Sequence, residues 1–181
     1  MFDPNAYGEE VAHLLALGGS GEQPMPLAGG RCASPRALEL LRHTTALRLF
    51  GGSRAAEAAL AGIYLYFSCW EEAHTIAQAI ETAEGSYWHA IVHRQEPDPG
   101  NSAYWFRRVG VHPVFPELRD RAAAAGVHVG PRWDPFAFIE LCERARRDPS
   151  SELEGKALQA QLAEWQLLFD FCAAYAPGRR G

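Results

Sequence analysis

Helix start signals recur along this sequence, and they restrict the fold more than any other feature. Alternating β-branched runs are almost absent, and only 127–129 could form a strand. Three segments pair a capping side chain with a first-turn proline or a capping-box glutamate. They are Ser34-Pro35, Asp134-Pro135 and Ser151 with Glu154. The sequence therefore predicts an all-α, single-domain helical bundle over 1–181, with about seven or eight helices, several of them short.

Apolar spacing and breaking residues set the expected helix limits. The helix over 54–67 is apolar on most faces, which is typical of a central, buried helix. Gly85 is expected to turn the chain between two helices, and Asn101 or Ser102 is expected to cap a short one. The predicted helices include 35–49, 54–67, 71–82, 87–96, 102–108, 116–125, 135–147 and 152–175.

The charge balance argues against two classes of partner. The net charge is −5 and the isoelectric point is near 5.8, whereas phosphate backbones attract basic surfaces. No stretch of about 18 apolar residues is present to span a bilayer. The N-terminus lacks a basic segment followed by an apolar run. We therefore expect a cytoplasmic protein that binds neither nucleic acid nor membrane.

The four cysteines are widely spaced and form no C-x-x-C pair. Such cysteines are typically buried, reduced thiols that act as small apolar side chains. Disulfides or zinc ligation are the alternative. The residues concerned are Cys32, Cys69, Cys142 and Cys172.

One stretch, 70–115, combines aromatic and ionisable residues to an unusual degree. It holds four of the seven histidines and three of the five tryptophans. A surface loop does not need so much aromatic bulk, and an ordinary core does not hold so much charge. The stretch therefore predicts the lining of a polar pocket.

The histidines of this stretch have the spacing of a metal site. His89, His93 and Glu96 are spaced i, i+4, i+7, so they share one helical face. A short turn would place the preceding helix antiparallel, with His74 level with His93. Because imidazoles and carboxylates on facing helices bind transition metals, His74, His89, His93 and Glu96 are predicted ligands of a divalent metal (Zn, Fe, Mn or Ni). A polar core of hydrogen-bonded histidines is the alternative.

Catalytic and ligand-binding roles are predicted for neighbouring residues. With a metal, a bound water would be activated; without one, a histidine with a pKa near neutrality would act as acid or base. The candidate catalytic groups are His89, His93, Glu96 and Asp98. Guanidinium groups favour carboxylate or phosphate, which predicts an anionic ligand. The candidate ligand-binding residues are Arg94, Asn101, Tyr104, Trp105, Arg107, Arg108 and His112.

The same residues resemble a family of uncharacterised proteins from bacteria and fungi. The resemblance begins in 61–66 and Glu72-Ala73-His74 and ends at Trp133-Asp134-Pro135, so it covers about 55–140. Its centre is the run 85–94 followed by Glu96, Asp98, Asn101, 104–110 and His112-Pro113. The resemblance implies that this stretch forms one unit, and it implies no reaction, cofactor or catalytic residue.

Two functions fit these observations. The first is an enzyme or binding protein for a small polar or anionic metabolite, metal-assisted through the histidine and glutamate residues of the helix hairpin. The second is a non-catalytic interaction module, with the aromatic segment 104–115 as a partner-binding or homodimer surface. Histidines that point into a concave pocket favour the first function. An exposed apolar patch on the order of several hundred Å² favours the second.

Overall fold

The computed structural model describes residues 2–175. The regular secondary structure of this part of the chain consists of helices. The described part is 64% helix and contains no strand, so the all-α prediction is confirmed. A 3₁₀ turn at Pro4–Tyr7 precedes ten α-helices in the described residues. These are α1 Glu9–Ala16, α2 Pro35–Arg42, α3 Ala46–Phe50, α4 Ala56–Tyr66, α5 Trp70–Gln78, α6 Ala83–Gln95, α7 Pro99–Val109, α8 Phe115–Ala124, α9 Pro135–Ala145 and α10 Glu152–Ala173.

One hydrophobic core takes residues from all ten helices, and α4 lies at its centre. Every residue from Ala58 to Tyr66 is buried, and α4 packs against α3, α5, α6 and α10. A Cβ on Gly62 would lie 2.7 Å from the Trp88 ring, so glycine allows α4 and α6 to approach closely. None of the described helices is both long and apolar enough to cross a membrane.

Several predicted helix limits hold, and one predicted helix divides into two. Asp134 and Ser151 cap α9 and α10 as expected. The predicted helix 35–49 instead ends at Arg42 and restarts after Thr45, whose hydroxyl accepts from the backbone N–H of Arg48 at 3.2 Å. The prediction of one helix was wrong because Thr45 is a good N-cap residue. Its capping hydrogen bond starts a new helix and breaks the apolar spacing on which the prediction rested.

Gly85 does not turn the chain, which corrects the expected start of α6. Thr82 caps α6, and Gly85 lies in its first turn. A Cβ at Gly85 would lie 2.4 Å from the Cβ of Ile80, so the glycine allows α6 to pack against the connection 79–82. Close packing, and not a turn conformation, explains this glycine.

The prediction of four reduced cysteines is wrong for two of them and confirmed for the other two. Cys32 and Cys69 form a disulfide across 37 residues, whereas Cys142 and Cys172 are free and buried as expected. The partner of Cys69 lies in the loop before α2, so spacing along the sequence could not indicate the pair.

A buried ion pair joins α6 to α10. The Arg94 guanidinium lies 2.5 Å from Glu164 Oε2, and both side chains are fully buried. Gln161 accepts a further hydrogen bond from Arg94 at 3.3 Å, and the Tyr87 hydroxyl donates to Glu164 at 3.1 Å. Phe138 covers the guanidinium at 4.6 Å. Burial alone would lower the pKa of Arg94, but the attraction of Glu164 raises it, so Arg94 stays charged.

We expect Arg94→Met to destabilise the fold by about 3–5 kcal/mol, because it leaves Glu164 buried without a counter-charge. Urea unfolding followed by circular dichroism measures the change. Arg94→Met/Glu164→Leu should recover much of the loss, because it removes the uncompensated charge as well. A loss below about 1 kcal/mol for Arg94→Met would contradict the assignment of this pair as a core contact.

Candidate metal centre

Three histidines from two helices converge at one side of the bundle. His74 projects from α5, and His89 and His93 project one turn apart from α6. The His74 ring centroid lies 4.6 Å from that of His89 and 5.2 Å from that of His93. The Nε2 atoms of His89 and His93 are 3.1 Å apart. One ring nitrogen from each residue lies within 4.8 Å of the other two.

Local sequence explains this convergence. The i, i+4 spacing places His89 and His93 on one face of α6, and the short connection 79–82 makes α5 pack against that face. Because the connection precedes Gly85, α6 starts a turn earlier than predicted. His74 therefore faces both histidines and not His93 alone.

Glu96 lies behind His93 and not among the three histidines. Its Oε2 is 2.9 Å from His93 Nδ1, whereas His93 Nε2 faces His89. This geometry differs from the predicted direct ligation by Glu96 beside His74 and His89. A carboxylate on the far nitrogen fixes the tautomer and orientation of an imidazole. Glu96 also lies with His93 and Asp98 in a second group whose ligand atoms are within 4.8 Å of one another.

Asp98 and Asn101 stabilise the start of α7. The Asp98 carboxylate accepts from the Asn101 backbone N–H at 3.0 Å and from its Nδ2 at 2.7 Å. These hydrogen bonds to Asn101 lower the pKa of Asp98. Asp98 is thus the N-cap of α7, a position predicted for Asn101 or Ser102. Both residues thus take part in capping α7, and the catalytic role of Asp98 and the ligand-binding role of Asn101 stay predictions.

Two tryptophans flank the histidine cluster. The Trp70 ring stacks on His74 at 5.5 Å with an 8° interplanar angle, and Trp105 stacks on His89 at 4.1 Å. Trp70 Nε1 also donates to the carbonyl of Val92 at 3.1 Å, which ties α5 to α6. Trp70 was not among the predicted site residues, although its i, i+4 spacing from His74 placed it on the same face.

The surroundings of His74 and His89 favour neutral imidazoles. Burial, together with the neighbouring His93 and His74, lowers the pKa of His89 to about 4. Burial and His93 also lower the pKa of His74. His89 Nδ1 is buried and has no hydrogen-bond partner in the described part of the chain. At neutral pH the rings of His74 and His89 are thus in the unprotonated form that ligates metals.

Two of the predicted ligand-binding residues lie away from this cluster. Arg94 points to the opposite side of α6, where Glu164 holds it in the core. His112 is buried and packs on the rings of Tyr87 and Phe171. Arg94 and His112 are therefore part of the core. In the sequence, Glu164 was marked only by its position within an apolar helix face.

The remaining predicted residues lie on the exposed side of α7. The Arg108 guanidinium is 5.2 Å from the Trp105 ring centroid, and that of Arg107 is 6.0 Å from the Phe136 ring. Tyr104 is exposed and meets Trp105 edge-on at 5.3 Å. Neither arginine forms a salt bridge with any described carboxylate.

The histidine cluster is mostly buried and lies apart from two cavities of the protein. A cavity of about 260 Å³ lies between the N-terminal turn, α8 and α10, and another of about 140 Å³ lies beside Tyr66. Neither includes a histidine of the cluster. His74 is half-buried, whereas His89 and His93 are buried at 4% and 8% exposure, so the cluster is most exposed at His74.

No family model, curated protein or solved structure matches this chain. A functional assignment therefore rests on the chemistry of the histidine cluster.

Acidification should destabilise the metal-free protein as the pH falls from about 6.5 to 4. The folded pKa of His89 is about 4, below the ordinary value of about 6.5. The unfolded chain therefore binds the proton first, and stability that is complete above pH 6.5 is lost toward pH 4. Urea unfolding with a chelator present, repeated across this range, measures the loss. His89→Gln should weaken the dependence of the unfolding free energy on pH, whereas His43→Gln should not, because His43 is exposed. Equal slopes of unfolding free energy against pH in the wild type and both variants would contradict the lowered pKa of His89.

Proposed function

We propose that this protein binds a divalent transition metal through His74, His89 and His93. The observation that carries the proposal is the spacing of the ring nitrogens. Bonds of about 2.0–2.1 Å in a tetrahedral site separate two nitrogen ligands by about 3.3 Å. The Nε2 atoms of His89 and His93 are 3.1 Å apart, and one ring nitrogen from each of the three residues lies within 4.8 Å of the other two, so movement of the His74 ring toward the pair would complete the site.

The number and type of ligands favour a site that acts on an external molecule. Structural zinc sites usually have four protein ligands, whereas catalytic sites have three and leave a position for water or substrate. The cluster offers three imidazoles, a set that suits zinc, iron or nickel better than manganese, which favours carboxylates. In such a site the metal polarises a bound substrate or lowers the pKa of a bound water.

Contacts around the histidines support the same proposal. Glu96 Oε2 lies 2.9 Å from His93 Nδ1, which orients the ring so that its Nε2 is directed at the site. The stacked rings of Trp70 and Trp105 restrict His74 and His89. A site whose ligands are already oriented loses less conformational entropy when it binds an ion.

We further propose that the open position takes a small anionic molecule. Three neutral imidazoles do not offset the charge of a divalent ion. Arg108 adds a guanidinium that stacks over Trp105 and has no carboxylate partner among the described residues. The largely buried site suits a small substrate or ligand. We therefore favour a metal-assisted enzyme or binding protein for a small anionic metabolite.

The interaction module has less support. Two aromatic residues of the segment 104–115, Phe106 and Phe115, are buried in the core at 1% and 8% exposure. Tyr104 and Val111 are exposed. Because the two phenylalanines are buried, the segment does not form the continuous aromatic surface that the sequence suggested. A homodimer through this face would have fewer anchoring residues than the sequence suggested.

Elemental analysis of untagged protein tests the metal proposal. We expect about one zinc, iron or nickel ion per chain, and loss of this metal in His74→Ala/His93→Ala, because each substitution removes a ligand. His13→Ala/His43→Ala is the matched control, since both residues are exposed and outside the cluster. Metal-free wild-type protein that also fails to take up added Zn²⁺, Fe²⁺ or Ni²⁺ would refute the proposal.

Arg108→Gln tests the anionic ligand. We expect unchanged metal content but weaker acetate binding, by up to about fivefold, the effect of one exposed ion pair. Acetate titration of Co²⁺-loaded protein, followed by visible absorption, measures this affinity. Arg107→Gln is the matched control, because Arg107 lies over Phe136 and not over Trp105. Equal acetate affinity in the wild type and Arg108→Gln would contradict the assignment.

A further inference from the structure

The disulfide lies at the point where α5 begins. Cys69 immediately precedes Trp70, the first residue of α5, and occupies the N-cap position without a capping hydrogen bond from its side chain. Its partner Cys32 belongs to the loop that joins α1 to α2. A covalent bond thus fixes the start of the helix that carries His74.

Direct contacts connect the disulfide to the histidine cluster. Trp70 follows Cys69 in the chain and stacks on His74 at 5.5 Å. The His74 ring in turn meets His89 edge-on at 4.6 Å. A shift at the start of α5 therefore moves Trp70, and with it the packing that orients His74.

The loop that carries Cys32 is anchored on both sides of Trp70. The Ala33 backbone N–H donates to the Phe67 carbonyl at 2.7 Å, and that of Gly29 donates to the Gln95 carbonyl at 2.6 Å. A Cβ added to Gly29 would lie 3.4 Å from Trp70 Cδ1, so the loop backbone lies directly against the tryptophan. The disulfide holds this segment in place against Trp70.

We propose that the Cys32–Cys69 disulfide is a redox-sensitive clamp on His74, so that its reduction lowers the affinity of the three-histidine site for metal. The inference rests on the proposed function, because it describes the regulation of the same site. Trp70 is the positioning residue that transmits the change. The disulfide does not itself ligate the metal. It restrains α5, in the way that groups in contact with a metal ligand restrain the orientation of that ligand.

Reduction by a dithiol accounts for all atoms and electrons. A thiolate of the dithiol attacks Sγ of the half-buried Cys32, the S–S bond breaks, and Cys69 leaves as a thiolate that takes up a proton. The second thiol of the reagent then attacks the mixed disulfide and releases Cys32. The protein gains two electrons and two protons, and the dithiol becomes a cyclic disulfide.

Cobalt binding to oxidised and reduced protein tests the clamp. Dithiothreitol is removed under argon before Co²⁺ is added, and thiol titration in denaturant should rise from two groups to four. We expect about tenfold weaker Co²⁺ binding after reduction, an altered visible spectrum, and recovery on reoxidation. Cys32→Ser should bind as the reduced protein does under both conditions. Cys142→Ser is the control and should keep the response, because Cys142 is free and buried elsewhere.

A second measurement separates the clamp from the metal proposal. Imidazole ¹⁵N shifts of metal-free protein report His74 directly, and circular dichroism verifies that the reduced chain stays folded. Equal Co²⁺ affinity in both states, with unchanged His74 shifts, would overturn the clamp and leave the metal site. Absence of metal binding in either state, with His74 shifts that respond to reduction, would overturn the metal site and support the clamp.

Discussion

The buried pair of Arg94 and Glu164 constrains the packing of α6, and α6 carries most of the site. A fully buried charge is tolerated only with a counter-charge and with hydrogen bonds to its remaining polar atoms. Glu164 and Gln161 accept from the two terminal nitrogens of Arg94, and the Tyr87 hydroxyl donates to Glu164; Arg94 Nε alone has no partner among the described residues. Such a network accepts few alternative arrangements, so it fixes both the rotation of α6 about its axis and its position along α10.

The histidine face depends on this rotation. His93 precedes Arg94 in the chain, and the two side chains leave α6 in different directions: one toward α5, the other toward α10. Once Arg94 is held by Glu164, His93 and His89 must point to α5, where His74 lies. A residue with no contact to the cluster thus orients two of its three rings. This is a structural reason for the charged residue within the histidine motif.

The sequence was sufficient for contacts that depend on local spacing. The i, i+4 pair of His89 and His93 and the short hairpin predicted the approach of His74, because helix geometry alone relates these positions. The partner of Arg94 lies 70 residues away, and that of Cys69 lies 37 residues away. Nothing in the local pattern specifies such pairs. The position of Gly85 shows a further limit, since a glycine that permits close packing looks the same in sequence as one that permits a turn.

His89 adds little to the stability of the fold. His89 Nδ1 is buried without a partner in the described part of the chain, and an unsatisfied buried polar atom costs about 1–3 kcal/mol. Burial and the other two rings lower the pKa of His89 to about 4, which means that protonation there opposes folding. Apolar side chains would fill the same space without either cost. Three imidazoles that converge beside Trp70 and Trp105, one of them oriented by Glu96, are the arrangement on which the proposed metal site rests.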